Sequence, residues 1–90
     1  MQTIYKYPFP RVFPPASFKL TMPVGAVIIE FANQDGRPCI WAQLDHDELE
    51  DEERSFTLVG TGRAIPDGAT YIGTIHIPGP LVWHLFELAR

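Results

Sequence analysis

The sequence has 90 residues, and its 7 Lys or Arg against 11 Asp or Glu give a formal net charge of −4. This length favours a single domain, residues 1–90, and a hydrophobic content of 46% is typical of a folded chain rather than a disordered one. No run approaches 18 consecutive apolar residues and the first residues lack the pattern of a signal peptide, so we expect no membrane partner. The single cysteine, Cys39, excludes an internal disulfide and favours a reducing, cytosolic compartment.

Apolar and polar residues alternate over short segments, which is the period of β-strands. In chain order, strands are predicted at residues 3–9, 17–22, 26–31, 39–44, 54–59, 71–77 and 81–88. The apolar, β-branched run at residues 26–31 predicts a strand covered on both faces, and Asp35-Gly36 predicts a hairpin turn. Consecutive prolines interrupt the pattern at residues 11–15, and a Pro-Gly-Pro turn precedes the last strand. The pattern predicts an all-β fold, a small antiparallel β-sandwich or open barrel of six to seven short strands.

The acidic residues are concentrated in one segment. Seven of the 11 lie within residues 45–53, so the rest of the chain has 7 basic residues against 4 acidic ones. We expect a solvated loop there; the alternative is a surface that mimics nucleic-acid phosphates and inhibits a protein partner. The sequence has no stripe of Lys and Arg, so we expect no binding to extended DNA or RNA.

The sequence contains no constellation typical of nucleophilic catalysis. Ser17 and Ser55 both lie in strand-like patterns, and neither has the G-x-S-x-G turn that exposes a nucleophile. Cys39 is better explained as a small buried apolar residue than as a thiol paired with His76 or His84. We therefore expect no enzyme activity and no catalytic residue.

Metal-ligand spacing is also missing. The segment at residues 45–47 has ligand types, but the residues after it depart from the calcium-loop pattern in their acidic and glycine positions. A zinc site built from Cys39 and two histidines would need ligands at spacings that the sequence does not repeat. We expect no metal and no cofactor, and the roles of the histidines stay open: His46, His76 and His84.

Two features suggest a binding site for a phosphorylated ligand. Glycines at 60 and 62 let the backbone adopt positive φ and approach a ligand, while a threonine hydroxyl, an arginine and the two glycine N–H groups can hold phosphate. A plain turn between strands is the competing explanation. Aromatic rings can stack nucleobases, although most rings of a small β-domain build its core. The candidate ligand-binding residues are Tyr5, Lys6, Tyr7, Arg37, Trp41, Gly60, Thr61, Gly62 and Arg63.

An ordered set of motifs gives the chain a family resemblance. These motifs are Ile4-Tyr5-Lys6-Tyr7, Pro23-Val24-Gly25-Ala26, Gln34-Asp35-Gly36-Arg37-Pro38-Cys39-Ile40-Trp41-Ala42, Gly60-Thr61-Gly62 with Ile65-Pro66, Tyr71-Ile72-Gly73-Thr74 and Leu81-Val82-Trp83-His84-Leu85-Phe86-Glu87. The set resembles a widespread family of proteins of similar length that tailed bacteriophages encode and whose function is unknown. The resemblance covers nearly the whole chain.

The resemblance implies a role in the bacterial host cytoplasm. Small accessory phage proteins often counter host immunity, and one class sequesters cyclic nucleotide signals without catalysis, as in inhibitors of CBASS signalling. The resemblance thus implies a sponge whose partner is a cyclic dinucleotide, held in a pocket at the interface of a homo-oligomer. The alternative is an anti-CRISPR-like inhibitor that binds a protein through residues 45–53, and a structural accessory of the virion stays open.

Overall fold

The computed structural model describes residues 1–11, 17–77 and 81–90. These residues form antiparallel strands and contain no helix, so none of them forms a helix that could cross a membrane. The all-β prediction is therefore confirmed. The predicted breaks at residues 12–15 and 78–80 lie outside the described residues. The strands are β1 (Gln2–Pro8), β2 (Phe18–Pro23), β3 (Val27–Gln34), β4 (Arg37–Asp45), β5 (Asp51–Gly60), β6 (Thr70–His76) and β7 (Val82–Glu87).

The strands form two sheets. The first sheet has three strands in the order β1-β4-β3, and the second has four in the order β2-β5-β7-β6. The β3–β4 hairpin turns at Asp35 (φ 52°) and Gly36 (φ 84°), and two consecutive positive φ values define the type I′ turn that Asp-Gly predicts. The last strand, β7, is central, since it pairs with both β5 and β6.

The core lies between the two sheets and is built mainly by inward-facing residues of β2 to β7. Ile40 and Ala42 of β4 face Phe56 of β5 and Leu85 of β7 across it, and all four are fully buried. Phe9, which follows β1, is also fully buried. Its ring lies 4.5 Å from the ring of Phe18 and 5.4 Å from that of Phe31, as centroid distances. The Phe9 cluster thus joins the first sheet to β2 of the second.

The two sheets approach each other closely at β3 and β6. A Cβ atom added to Gly73 would lie 3.4 Å from the Cβ atom of Phe31, so the glycine leaves room for the neighbouring strand. Both strands also have a register shift here, β3 between Ile28 and Glu30 and β6 between Tyr71 and Gly73. Bulges increase local twist, which lets two sheets converge at a corner.

A buried ion pair joins the second sheet to the start of β3. Arg54 of β5 is 8% exposed and donates from Nε and Nη2 to the two carboxylate oxygens of Glu87 on β7, at 2.7 and 2.8 Å. Its Nη1 donates to the carbonyl of Ala26 at 2.6 Å. The hydrogen bonds from Arg54 hold the pKa of Glu87 below its usual value, and those to Glu87 raise the pKa of Arg54.

Two predictions about individual segments are wrong. Residues 26–31 are not covered on both faces: Val27 is 59% exposed and Ile29 is 48% exposed, because β3 is an outer strand of the first sheet with solvent against its outward side. The acidic segment is not one loop, since residues 51–53 belong to β5 and pair with β2. Two acidic residues at the start of β5 form ion pairs: Glu52 with Arg90 and Glu53 with Lys19. These cations offset the repulsion among the neighbouring carboxylates.

Candidate ligand-binding site

The glycine-rich segment after β5 is a tight turn. The N–H of Arg63 donates to the carbonyl of Gly60 at 3.0 Å, and Gly62 in the third position has φ 89°, as in a type II turn. The N–H of Thr61 donates to the carbonyl of Val82 on β7 at 3.3 Å. The N–H of Gly62 has no acceptor among the described residues, so it is the amide that this turn leaves available to a ligand.

A chain of hydrogen-bonded side chains runs from this turn across the outward face of the second sheet. The hydroxyl of Thr61 lies 2.9 Å from Nε2 of His84, and Nδ1 of the same imidazole lies 2.9 Å from the hydroxyl of Thr74. The hydroxyl of Thr74 is in turn 2.6 Å from the phenol oxygen of Tyr71. We call these four residues the His84 chain: Thr61, His84, Thr74 and Tyr71.

The strand register places the members of the His84 chain together. Thr74 of β6 lies directly opposite His84 of β7, and cross-strand partners share one face of a sheet. Tyr71 reaches the same face because the register shift between Tyr71 and Gly73 adds a residue to β6. Its ring also packs edge-on against Phe86, with the centroids 5.6 Å apart.

Two grooves flank the turn, and both are lined by Thr61 and Arg63. The larger has a volume of about 540 Å³, and its apolar walls include Trp83 and Pro66. The smaller has a volume of about 260 Å³ and is lined by His84 among others. The guanidinium of Arg63 is exposed and forms no ion pair with any residue that the structure describes. An unpaired cation thus stands between two grooves.

The hydroxyl of Thr61 lies between the imidazole of His84 and the carbonyl of Val82. When Nε2 of His84 carries a proton and donates to Thr61, the threonine hydroxyl donates its own proton to the carbonyl of Val82 at 3.4 Å, a long hydrogen bond that an anion would replace. The imidazole nitrogen that faces away from Thr61 is held by the hydroxyl of Thr74 and not by a carboxylate. The hydroxyl–imidazole pair therefore lacks the acidic partner that stabilises an imidazolium in a Ser-His-Asp triad.

The remaining predicted site residues lie elsewhere in the chain. Arg37, in the β3–β4 hairpin, donates from Nε and Nη2 to the carbonyl of Phe9 at 2.9 and 2.6 Å. Its guanidinium therefore stabilises the backbone just after β1. Tyr7 points inward and packs against the core, and burial raises the pKa of its phenol. Tyr5 is on the same side of β1 but is 44% exposed at the sheet edge.

Lys6 and Trp41 are on the opposite side of the first sheet from the core, as direct cross-strand partners. The turn at Gly60–Arg63 belongs to the other sheet and to its outward face. The nine predicted residues therefore divide among four places, and the largest group that lies together is the turn: Gly60, Thr61, Gly62 and Arg63. The outward faces of a two-layer fold point away from each other, which keeps the two sets apart.

Three members of the His84 chain were not among the predicted site residues: Tyr71, Thr74 and His84, although the role of His84 was left open. The sequence did contain a signal for this chain, because His84 is a polar residue within an otherwise apolar strand. A partly buried imidazole needs hydrogen-bond partners, so polar side chains were to be expected beside it. The other two histidines lie apart from the chain. His46 is exposed beside Asp47, with its ring perpendicular to that of Tyr5 and the centroids 6.4 Å apart, and His76 is exposed at the end of β6.

The acidic residues form no common site. Asp45 and Asp47 both accept hydrogen bonds from the terminal amine of Met1, at 3.1 and 2.7 Å. The N–H of Asp47 also donates to Asp45, and this bond contributes most to a lowered pKa of the Asp45 carboxyl. Within the described ranges, no group of three or more His, Cys, Asp or Glu side chains is placed to hold a metal ion.

Comparisons with known proteins identify the family of the chain. No curated protein and no solved structure matches the sequence. A family model described as "Domain of unknown function (DUF7352)" matches residues 1–90. Because the match spans the whole sequence, the chain belongs to the DUF7352 family.

Proposed function

We propose that the chain is a non-enzymatic binding protein that sequesters a phosphorylated nucleotide at the turn between β5 and β6. The observation that carries the proposal is the exposed, unpaired guanidinium of Arg63 beside the hydroxyl of Thr61 and the available N–H of Gly62. A guanidinium, a hydroxyl and a backbone amide are the donors that bind phosphate oxygens in proteins. The resemblance to phage proteins suggests a cyclic dinucleotide of bacterial antiviral signalling as the ligand.

The two grooves support a ligand with more than one base. Phosphate bound at Thr61 and Arg63 stands between the grooves, so groups attached on either side of it enter opposite grooves. Trp83 is among the residues that line the larger groove and Phe86 among those that line the smaller, so each groove has an apolar residue beside which a base could lie. A cyclic dinucleotide carries bases on both sides of its phosphate ring, and a mononucleotide would fill one groove only.

The test is a calorimetric titration of cyclic dinucleotides, with mononucleotides and inorganic phosphate as comparison ligands. Arg63→Gln removes the cation and should weaken binding about 10- to 100-fold, which corresponds to the roughly 1.5–3 kcal/mol of a hydrogen bond to a charged group. Thr61→Val removes the hydroxyl at nearly constant volume and should weaken binding about 2- to 10-fold, as expected for a neutral hydrogen bond. Lys19→Gln is the matched control, since Lys19 is an exposed cation on β2, at the opposite edge of the same sheet.

Mass spectrometry of the ligand after denaturation of the complex separates binding from catalysis. Recovery of the intact nucleotide supports a sponge, and recovery of a linear or hydrolysed product shows an enzyme instead. Equal affinities of the Arg63→Gln variant and the unchanged protein would remove Arg63 from the site. Absence of binding by every nucleotide tested would refute the proposed function.

The alternative function, protein inhibition through the acidic segment, has less support. Residues 51–53 are part of the β2–β5 ladder, and their charges are partly offset by Lys19 and Arg90. The exposed part of the segment is the connection before β5, where Leu49 is 96% exposed between two glutamates. Neutralising Glu48 and Glu50 should leave nucleotide binding unchanged and would abolish an interaction that depends on this connection.

A further inference from the structure

Two rows of side chains with exposed ends lie on the outward face of the first sheet. Its central row runs across the three strands as Lys6 on β1, Trp41 on β4 and Glu30 on β3, which are direct cross-strand partners. A cation and an anion thus flank a central aromatic ring. Trp41 is half-buried between these two exposed side chains.

The next row repeats the arrangement with apolar ends. Ile4 on β1, Gln43 on β4 and Val27 on β3 are cross-strand partners, and the two apolar side chains are 55% and 59% exposed. An amide therefore stands between two exposed aliphatic groups. We call these two rows the Trp41 face: Lys6, Trp41, Glu30, Ile4, Gln43 and Val27.

We propose that the Trp41 face is the interface of a two-fold symmetric homodimer. A two-fold axis parallel to β4 and just above it turns the face onto itself and places β1 of one protomer over β3 of the other. Positions along the strands are preserved by this rotation. Lys6 then meets Glu30 of the second copy twice, while Trp41 meets Trp41 on the axis, as an isologous interface requires.

The second row fits the same operation. Ile4 meets Val27 of the second copy on both sides, and Gln43 meets Gln43, whose amide can both donate and accept a hydrogen bond. Every group of the two rows is therefore matched by a suitable partner; the Lys6 ammonium donates to Oε1 of Gln34 at 2.9 Å and keeps two further N–H groups for Glu30. The other two-fold axis that lies in the plane of the face, perpendicular to β4, would place Lys6 over Lys6 and Glu30 over Glu30. The charge pattern thus selects the axis parallel to β4.

The size of the Trp41 face sets the strength of the dimer. Three strands about 4.8 Å apart, with about seven paired positions that rise about 3.4 Å each, make a face of roughly 14 × 24 Å. Counted on both copies, this whole outward face gives roughly 700 Å², which is below the roughly 1,200 Å² of stable protein interfaces, so we expect a weak dimer that dissociates at high micromolar concentrations. The interface lies on the opposite side of the protomer from the Thr61 turn, and the inference does not depend on the proposed function.

Sedimentation velocity over a range of protein concentrations tests the interface by charge reversal. Lys6→Glu places two carboxylates at each former ion pair and should raise the dissociation constant about ten-fold or more, and Glu30→Lys should do the same. The double variant Lys6→Glu, Glu30→Lys restores opposite charges across the axis and should restore dimerisation. Added salt should reduce the differences among the variants.

Circular dichroism and urea unfolding of each variant verify that the monomer remains folded. Lys19→Glu, a reversal at an exposed lysine of the other sheet, is the control and should leave the dissociation constant unchanged. If the protein without substitutions stays monomeric into the millimolar range, the inference is overturned. It is also overturned by a dimer that persists in both single variants, or by a double variant that dimerises no better than the singles, since either result places the contact elsewhere.

Discussion

The Arg54–Glu87 ion pair gives the sharpest prediction about stability. Glu87→Gln keeps the size of the side chain but replaces one carboxylate oxygen by an NH₂ group, which cannot accept a hydrogen bond. Arg54 is 8% exposed and would lose the charge that it faces and one of two hydrogen bonds to residue 87. A buried guanidinium would then be left without its counter-charge.

The expected loss follows from this geometry. Removal of one partner of a buried ion pair costs about 3–5 kcal/mol when the remaining charge is left uncompensated. Here Arg54 keeps the carbonyl of Ala26 and one acceptor, and the side chain of Glu87 is 16% exposed. We therefore expect Glu87→Gln to lower the free energy of unfolding by about 2–3 kcal/mol at pH 7, below the full cost of a broken buried pair. For a domain of this size the midpoint of thermal unfolding should fall by roughly 10–20 °C.

Urea unfolding followed by circular dichroism measures the loss, and two variants control for it. Glu52→Gln removes the exposed ion pair with Arg90 and should cost less than about 1 kcal/mol. Arg54→Met removes the buried charge. In a protein that carries Arg54→Met, Glu87→Gln should lower the free energy of unfolding clearly less than it does in the presence of Arg54. An equal cost with and without Arg54 would refute the reasoning, because the loss would not arise from the ion pair.

The lowered pKa of Glu87 also predicts how the loss depends on pH. The hydrogen bonds from Arg54 stabilise the carboxylate in the folded state, so this stabilisation is complete above the unfolded pKa of about 4.3. It is lost as pH falls through the lower, folded pKa. The difference in unfolding free energy between the unchanged protein and Glu87→Gln should therefore narrow in acid and stay constant from pH 6 to about pH 8. If the difference in unfolding free energy widened in acid instead, the pKa of Glu87 could not be lowered in the folded state.

Two glycines give further predictions. Gly36→Ala places a Cβ at φ 84° in the β3–β4 turn and should cost about 1–2 kcal/mol in urea unfolding, whereas Asp35→Asn, which tolerates the same region, should change little. Gly73→Val forces extra methyl groups against Phe31 at the β3–β6 corner and should cost about 1–3 kcal/mol, and Gly73→Ala should cost less. A Gly73→Val variant as stable as the unchanged protein would show that the two strands can separate freely.

Much of the fold was predictable because it depends on local chemistry. The alternation of Phe18, Leu20 and Met22 marks one face of β2, and the structure places these side chains on the core side. The Asp35-Gly36 turn was predictable for the same reason, since positive φ at consecutive positions selects these residue types. Cys39 was predicted to be a small buried residue, and it is 2% exposed in the structure.

The candidate site was only partly predictable. The Gly60-Thr61-Gly62 turn is a local motif and was found from residue type alone. The His84 chain depends on which strand lies beside β7 and on the extra residue in β6, and neither is a property of a single segment. Lys6 and Trp41 were predicted to share a site with Thr61, but the two-layer fold puts them on the outward face of the other sheet.

The sequence by itself determined the strand period, the hairpin turn and the all-β class, because each follows from the preferences of residues close together in the chain. Only the tertiary structure decided that β3 is an outer strand, that residues 51–53 join a ladder, and that Thr61, His84, Thr74 and Tyr71 form one hydrogen-bonded chain. These features depend on pairing between distant segments. Pairing is chosen by the packing free energy of the whole domain, which no local pattern encodes.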